Sequence, residues 1–259
     1  MRSPIVRKLG CLAAALPLFA GSWASVAPPH DPLTAVYEHL PQGDLRLYMW
    51  GVGFVGDRRT CLVLFHGGGW TAGDPGQFGP MCKELASRKL ACISAEYTLG
   101  RSRLVLAEAK AVVNWVRAHA AALGIAPDRV AVGGGSVGGY LAASTAVIPD
   151  NDPESSMPNA LILLNPVLGL YNGGPPEILA KHLTRPLPPT LIVHGTADSV
   201  VPVSVVQSFV AEARAAGSTR IELILYPNRK HGFWNGTADT NPDFPAVSHQ
   251  ISDFLNSMH

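Results

Sequence analysis

After its first 27 residues the chain alternates short apolar runs with longer stretches whose apolar residues recur at helical spacing. Cys61–Phe65 is a continuous apolar run, the pattern of a strand buried on both faces. Further strands are expected at Leu45–Trp50, Ala91–Tyr97, Arg129–Gly133, Ala160–Leu164, Thr190–His194 and Ile221–Tyr226. Helices are expected at Pro80–Lys89, Leu104–Leu123, Val137–Ile148, Val203–Ala216 and Phe244–Met258, the second ending at the helix stop Gly124. This strand–helix alternation predicts an α/β fold with a mostly parallel, doubly wound sheet and helices on both faces. Two segments resist periodic reading. Pro149–Pro158 is a polar loop, and Val167–Pro189 is a long Gly- and Pro-containing insertion placed to shape a substrate entrance.

The first residues have a different layout. Arg2, Arg7 and Lys8 give a basic start, Leu9–Trp23 is uncharged and mostly apolar, and small residues precede Pro28-Pro29. This is the order of a secretory signal. The apolar run is too short for a bilayer span and contains Pro17. The expected organisation is a signal peptide over 1–27 and one catalytic domain over 28–259, with a secreted or periplasmic product and no stable membrane anchor after cleavage. Loss of the three basic residues turns a net charge of +1 into −2. Neither value argues for nucleic acid as a partner. Cleavage also removes Cys11 and leaves Cys61, Cys82 and Cys92, enough for one bridge whose pairing the spacing leaves open.

Candidate chemistry gathers at the predicted strand ends. Gly134-Gly135-Ser136-Val137-Gly138 is a G-x-S-x-G sequence between a strand and a helix. There a tight turn would push a serine out of the sheet. The same stretch also reads as G-x-G-x-x-G over Gly133, Gly135 and Gly138, a dinucleotide-binding pattern. That reading lacks an acid at the end of the next strand, which stops at Asn165-Pro166, so no cofactor is expected. A serine hydroxyl needs a base to take its proton. Of nine histidines, His231 follows the last strand. His119 and His249 fall in helices, His182 in the insertion, His259 at the terminus, and His194 at a strand end as a core residue. Asp198 lies four residues past its strand and between Ser136 and His231 in chain order. It could instead cap the next helix, a task open to Ser199 or Ser204. Glu177 and Asp239 do not fit the order. His66-Gly67-Gly68-Gly69-Trp70 follows the strand Cys61–Phe65. Its bare amides at Gly67 and Gly68, with that of Val137, are candidate donors to an oxyanion. His66 is expected to hold this loop through its side chain. There is no CxxC or other metal-type cysteine spacing.

Together HGGGW, GGGSVGG, HGTADSVVP and KHGF resemble the α/β-hydrolase superfamily, and within it the small esterases related to the hormone-sensitive-lipase group and bacterial acetyl and feruloyl esterases. The resemblance runs from about Thr60 to Trp234 and departs at Thr98, where the group often has Arg, and at Val137, where Ala is common. It implies a catalytic Ser136, Asp198 and His231, an oxyanion hole from Gly67, Gly68 and Val137, and no cofactor or metal. Relatives usually carry an N-terminal helical cap, for which this chain leaves little length. An uncapped site would suit short acyl groups on small-molecule or carbohydrate alcohols. The competing expectations are a serine peptidase of the prolyl-oligopeptidase type, which shares the order of the three residues, and a non-catalytic binding module.

Overall fold

The computed structural model describes residues 31–100, 103–149, 156–169 and 179–258. The segment expected to be a signal peptide, and Glu177 and His259, lie outside the described residues. Eight strands form one sheet in the order β1-β2-β4-β3-β5-β6-β7-β8. They are β1 Leu33–Leu40, β2 Gly43–Trp50, β3 Arg59–Phe65, β4 Ala91–Ala95, β5 Ile125–Gly135, β6 Ala160–Leu164, β7 Thr190–Gly195 and β8 Ile221–Tyr226. β1 and β2 are a hairpin joined antiparallel to β4, and every other pairing is parallel.

The helices are α1 Gly79–Ser87, α2 Arg103–Ala118, α3 Ala120–Leu123, α4 Val137–Val147, α5 Val203–Ala215 and α6 Phe244–Asn256. Alternate strand residues face opposite sides. Val63, Phe65, Val132, Leu161 and Leu163 pack under α2, α4 and α5. Leu62, Leu64, Ile162, Leu164 and Val193 pack under α1 and α6. A sheet covered on both faces has no polar side to show, which is why its central strands read as unbroken apolar runs. α4 is buried along its whole length. Among the described residues no large cap stands over the sheet, and no helix is long and apolar enough to cross a membrane.

Several expected boundaries move. The helix expected over Leu104–Leu123 breaks at His119, whose ring stacks on Trp115 and whose Nδ1 lies 2.8 Å from the Trp115 carbonyl. The strand expected to reach Tyr97 stops at Ala95. Glu96 turns out of it to receive the Arg46 amide and the Tyr48 hydroxyl, both at 2.8 Å. The Gly-rich loop holds a 3-10 turn at Pro75–Phe78, started by Asp74, which accepts the Gly76 amide at 2.7 Å. Another short turn, Leu179–His182, lies in the long insertion. Cys82 of α1 is bonded to Cys92 of β4, and Cys61 stays buried and free.

Candidate active site

Ser136 sits between β5 and α4 with φ 56° and ψ −119°, a conformation that costs an L residue about 1–3 kcal/mol. Its surroundings enforce it. The Ser136 amide donates to Leu164 O at 3.0 Å, and its carbonyl receives the Val167 amide at 3.1 Å. Behind it Gly138 lets α4 press against the Phe65 carbonyl, where any Cβ would collide with backbone. The hydroxyl-bearing residue is left partly exposed at the carboxyl end of the sheet.

Asp198 and His231 meet there. Asp198 Oδ2 lies 2.7 Å from His231 Nδ1. The Asp198 side chain is fully buried and that of His231 is 22% exposed, so one holds and the other reaches outward. Asp198 Oδ1 accepts the amides of Val200 and Val201 at 2.9 and 2.8 Å. Asn165 Nδ2 donates to Oδ2 at 2.7 Å. Burial alone would raise the carboxyl, but the hydrogen bonds from His231, Val201 and Val200 outweigh it and hold Asp198 below its ordinary range. An ionised acid bound to Nδ1–H leaves Nε2 as the basic nitrogen of His231. Asp198 does not cap α5, whose N-cap is Pro202.

Ser136 Oγ has no hydrogen-bond partner among the described residues. Contacts of this kind commonly tighten only when substrate is bound. The turn and the histidine loop are nevertheless packed together, because Trp234, three residues past His231, lies against Gly135.

His194 is buried at the end of β7. Its Nε2 donates to the Val201 carbonyl at 3.0 Å and lies 3.6 Å from Asp198 Oδ2. Burial pushes its imidazole below the ordinary value, so it stays neutral as a core residue. His66 takes the structural place expected of it. Its Nδ1 lies 2.7 Å from Gly67 O, its ring stacks on Tyr97 at 4.3 Å, and the Tyr97 hydroxyl donates to His66 O.

The donor set differs from expectation at Gly67. A side chain there would lie 3.3 Å from Ser136 Cβ, so the residue is beside the turn. Its amide, however, donates to Gln77 Oε1 at 2.7 Å and is not free for an oxyanion. Gly68 is exposed. Val137, as first residue of α4, has an amide that helical bonding leaves unused. Sequence reasoning did not single out Asn165 or Gln77. Both act through contacts across the fold that no local pattern announces.

A family model described as alpha/beta hydrolase fold matches residues 62–178, and one for the prolyl oligopeptidase family matches residues 178–255. Esterase LipC of Mycobacterium tuberculosis is 27% identical over 240 residues, covering 76% of this chain and 58% of its own. The probable carboxylic ester hydrolase LipM of the same organism is 26% identical over 215 residues, covering 67% and 50%. The chain thus spans about half the length of these curated relatives. Solved structures match more fully. A thermophilic esterase of Thermogutta terrifontis, Est2 with propionate bound, superposes with a TM-score of 0.79 at 34% identity, covering 88% of this chain and 94% of that one. The same esterase is also known with butyrate bound, and phosphorylated by paraoxon. By this likeness the chain belongs to the α/β-hydrolase superfamily, alongside these esterases.

Proposed function

We propose that this protein is an exported serine carboxylesterase that hydrolyses short-chain acyl esters through an acyl-enzyme on Ser136. The observation that carries the reading is the Asp198–His231 hydrogen bond of 2.7 Å, with Asp198 buried and every one of its oxygens bonded. Such an acid fixes the ring and its tautomer and stabilises the imidazolium that forms. In the first step Ser136 Oγ bonds to the ester carbonyl carbon as its proton passes to His231 Nε2. The amides of Gly68 and Val137 receive the oxyanion, with Gly69 next in line on the same exposed loop. Collapse of the intermediate breaks the bond to the alcohol oxygen, which leaves with the proton from His231. Water then attacks the acyl-enzyme with His231 as base, releasing the acid and restoring Ser136. No step calls for a cofactor.

Short acyl groups are favoured by the absence of a large cap among the described residues and by the propionate and butyrate bound to the Thermogutta esterase. Acetyl or feruloyl esters of carbohydrates are the natural substrate class for so open a site. Export is supported by the basic, apolar and small-residue order of the first segment and by the Cys82–Cys92 bridge, which persists in oxidising compartments.

The test compares p-nitrophenyl acetate, octanoate and palmitate as substrates of the wild type and Ser136→Ala. Acetate hydrolysis that disappears in the variant is the expected result, and activity that survives it overturns the reading. The prolyl oligopeptidase match over residues 178–255 supports a second reading, peptidase activity. A proline-containing peptide p-nitroanilide cleaved faster than the acetate ester would select it.

A further inference from the structure

One short segment at the end of β6 grips two of the three proposed catalytic residues. Leu164 O and the Val167 amide hold Ser136 from both sides, at 3.0 and 3.1 Å. Between them the Asn165 side chain, fully buried, reaches Asp198 Oδ2 at 2.7 Å. Asn165 is itself pinned, its amide donating to Val193 O at 2.9 Å. Its backbone lies at φ 44°, in the left-handed region that asparagine tolerates better than most residues. Its amide group has one sensible orientation. A carboxylate cannot donate, so Nδ2 must face Asp198. Oδ1 is then left buried with no partner among the described residues. A strained backbone and an orphaned carbonyl both oppose folding. Packing alone gives no reason to keep them.

We propose that Asn165 is a positioning residue that sets Asp198 relative to Ser136 and keeps Oδ2 aimed at His231. This rests on the reading of Asp198 and His231 as the acid and base. Oδ1 is already fixed by Val200 and Val201, so the Asn165 bond determines which way the second oxygen points. It also withdraws charge from that oxygen. The other group facing it is His194, whose Nε2 is engaged by Val201 O at 3.0 Å and stands 3.6 Å away. Without the Asn165 donor, Asp198 would turn more freely about its fixed Oδ1, and Oδ2 would hold the His231 ring less firmly in line with Ser136.

The test is Asn165→Gly, which suits the left-handed backbone and removes only the side chain. With the acetate ester, kcat is expected to fall about tenfold with KM little changed, the loss of one hydrogen bond to a charged group. A residue that merely packs would lower the melting temperature and leave both kcat and KM in place, and that result overturns the proposal. Should Asn165→Gly fold poorly, Asn165→Ser, whose hydroxyl ends one bond short of Nδ2, is read by the same criteria. Ser136→Ala and His231→Gln are run beside them. Activity in those two defeats the esterase reading itself, whereas their inactivity with an unchanged Asn165→Gly defeats only the role of Asn165.

Discussion

The ring of Trp234 fills the space that a side chain at Gly135 would need. Trp234 is 3% exposed and stacks on Phe78, ring centroids 5.1 Å apart and planes 5° from parallel. It cannot swing aside. Gly135→Ala therefore has to displace either the Ser136 turn or the loop that carries His231. Overpacking of this kind costs about 1–3 kcal/mol. A shift of about 1 Å between reacting groups costs on the order of 100-fold in rate. The variant is expected to stay folded at 25 °C, to melt earlier and to lose most of its ester hydrolysis. Calorimetry beside steady-state kinetics checks both, and a variant with wild-type kcat would show that the ring is not what sets the two loops.

Acid should weaken the protein in two stages. His194 and His66 are both held by burial below the ordinary imidazole value. A group depressed in the folded state stays neutral there while the unfolded chain takes a proton, so stability falls as pH drops below about 6.5. Asp198 is also depressed in the folded state. Its contribution is complete above the ordinary carboxylate value of about 4 and is lost as pH falls through its lower folded value. The melting temperature is expected to decline from pH 7 to pH 5, then more steeply below pH 4. His194→Gln places an amide where Nε2 donates to Val201 O and cannot take the proton. It should shrink the first stage to the share of His66 while leaving the second, and an unchanged slope between pH 7 and 5 would clear His194 of that role.

The central strands and the order of Ser136, Asp198 and His231 were legible because burial on both faces and turn chemistry leave local marks. β1 was not. It is an edge strand whose residues are half buried or exposed, so Leu33–Leu40 shows no apolar run. β5 begins at Ile125 rather than Arg129 because a register shift lets Arg59 pair with Ile125 ahead of the regular ladder. The glycines after His66 announced an anion-binding loop, but which amide is free depends on Gln77, ten residues on. Asn165-Pro166 read only as a strand stop. Its contact with Asp198 spans 33 residues of chain and has no periodic signature.

The cysteine spacing left the pairing open, and the structure joins Cys82 to Cys92 across 10 residues. Closing a loop of that size in the unfolded chain is worth about 2–3 kcal/mol. Reduction should lower the melting temperature by about 5–10 °C in a chain of this length. Cys61 is fully buried, and burial pushes its thiol up, so it should not react in the folded protein. Cys82 and Cys92 are buried as well, so the count is made in denaturant: in the exported protein a thiol reagent is expected to find one thiol, Cys61, without reductant and three with it. Three thiols in the unfolded, unreduced protein would contradict the pairing.

Gln77 governs the loop that is proposed to bind the oxyanion. Its Oε1 accepts the Gly67 amide, and the turn that carries it is fixed by Asp74 and Pro75. Gln77→Leu leaves that amide buried without an acceptor, a cost of about 1–3 kcal/mol, and frees Gly68 to drift. Because the oxyanion forms only in the transition state, kcat should fall about tenfold to a hundredfold while KM changes little. Gln77→Glu separates the geometry from the charge. Its carboxylate accepts the same amide, so the melting temperature should return toward wild type. It also sets a negative charge beside the site where another develops. Its kcat should therefore stay low, and should fall further relative to wild type as pH rises through the carboxylate range and the new side chain ionises. If Gln77→Leu kept wild-type kcat, the Gly67 amide would have no bearing on the loop, and the free amides of Gly68 and Val137 would be placed by the backbone alone.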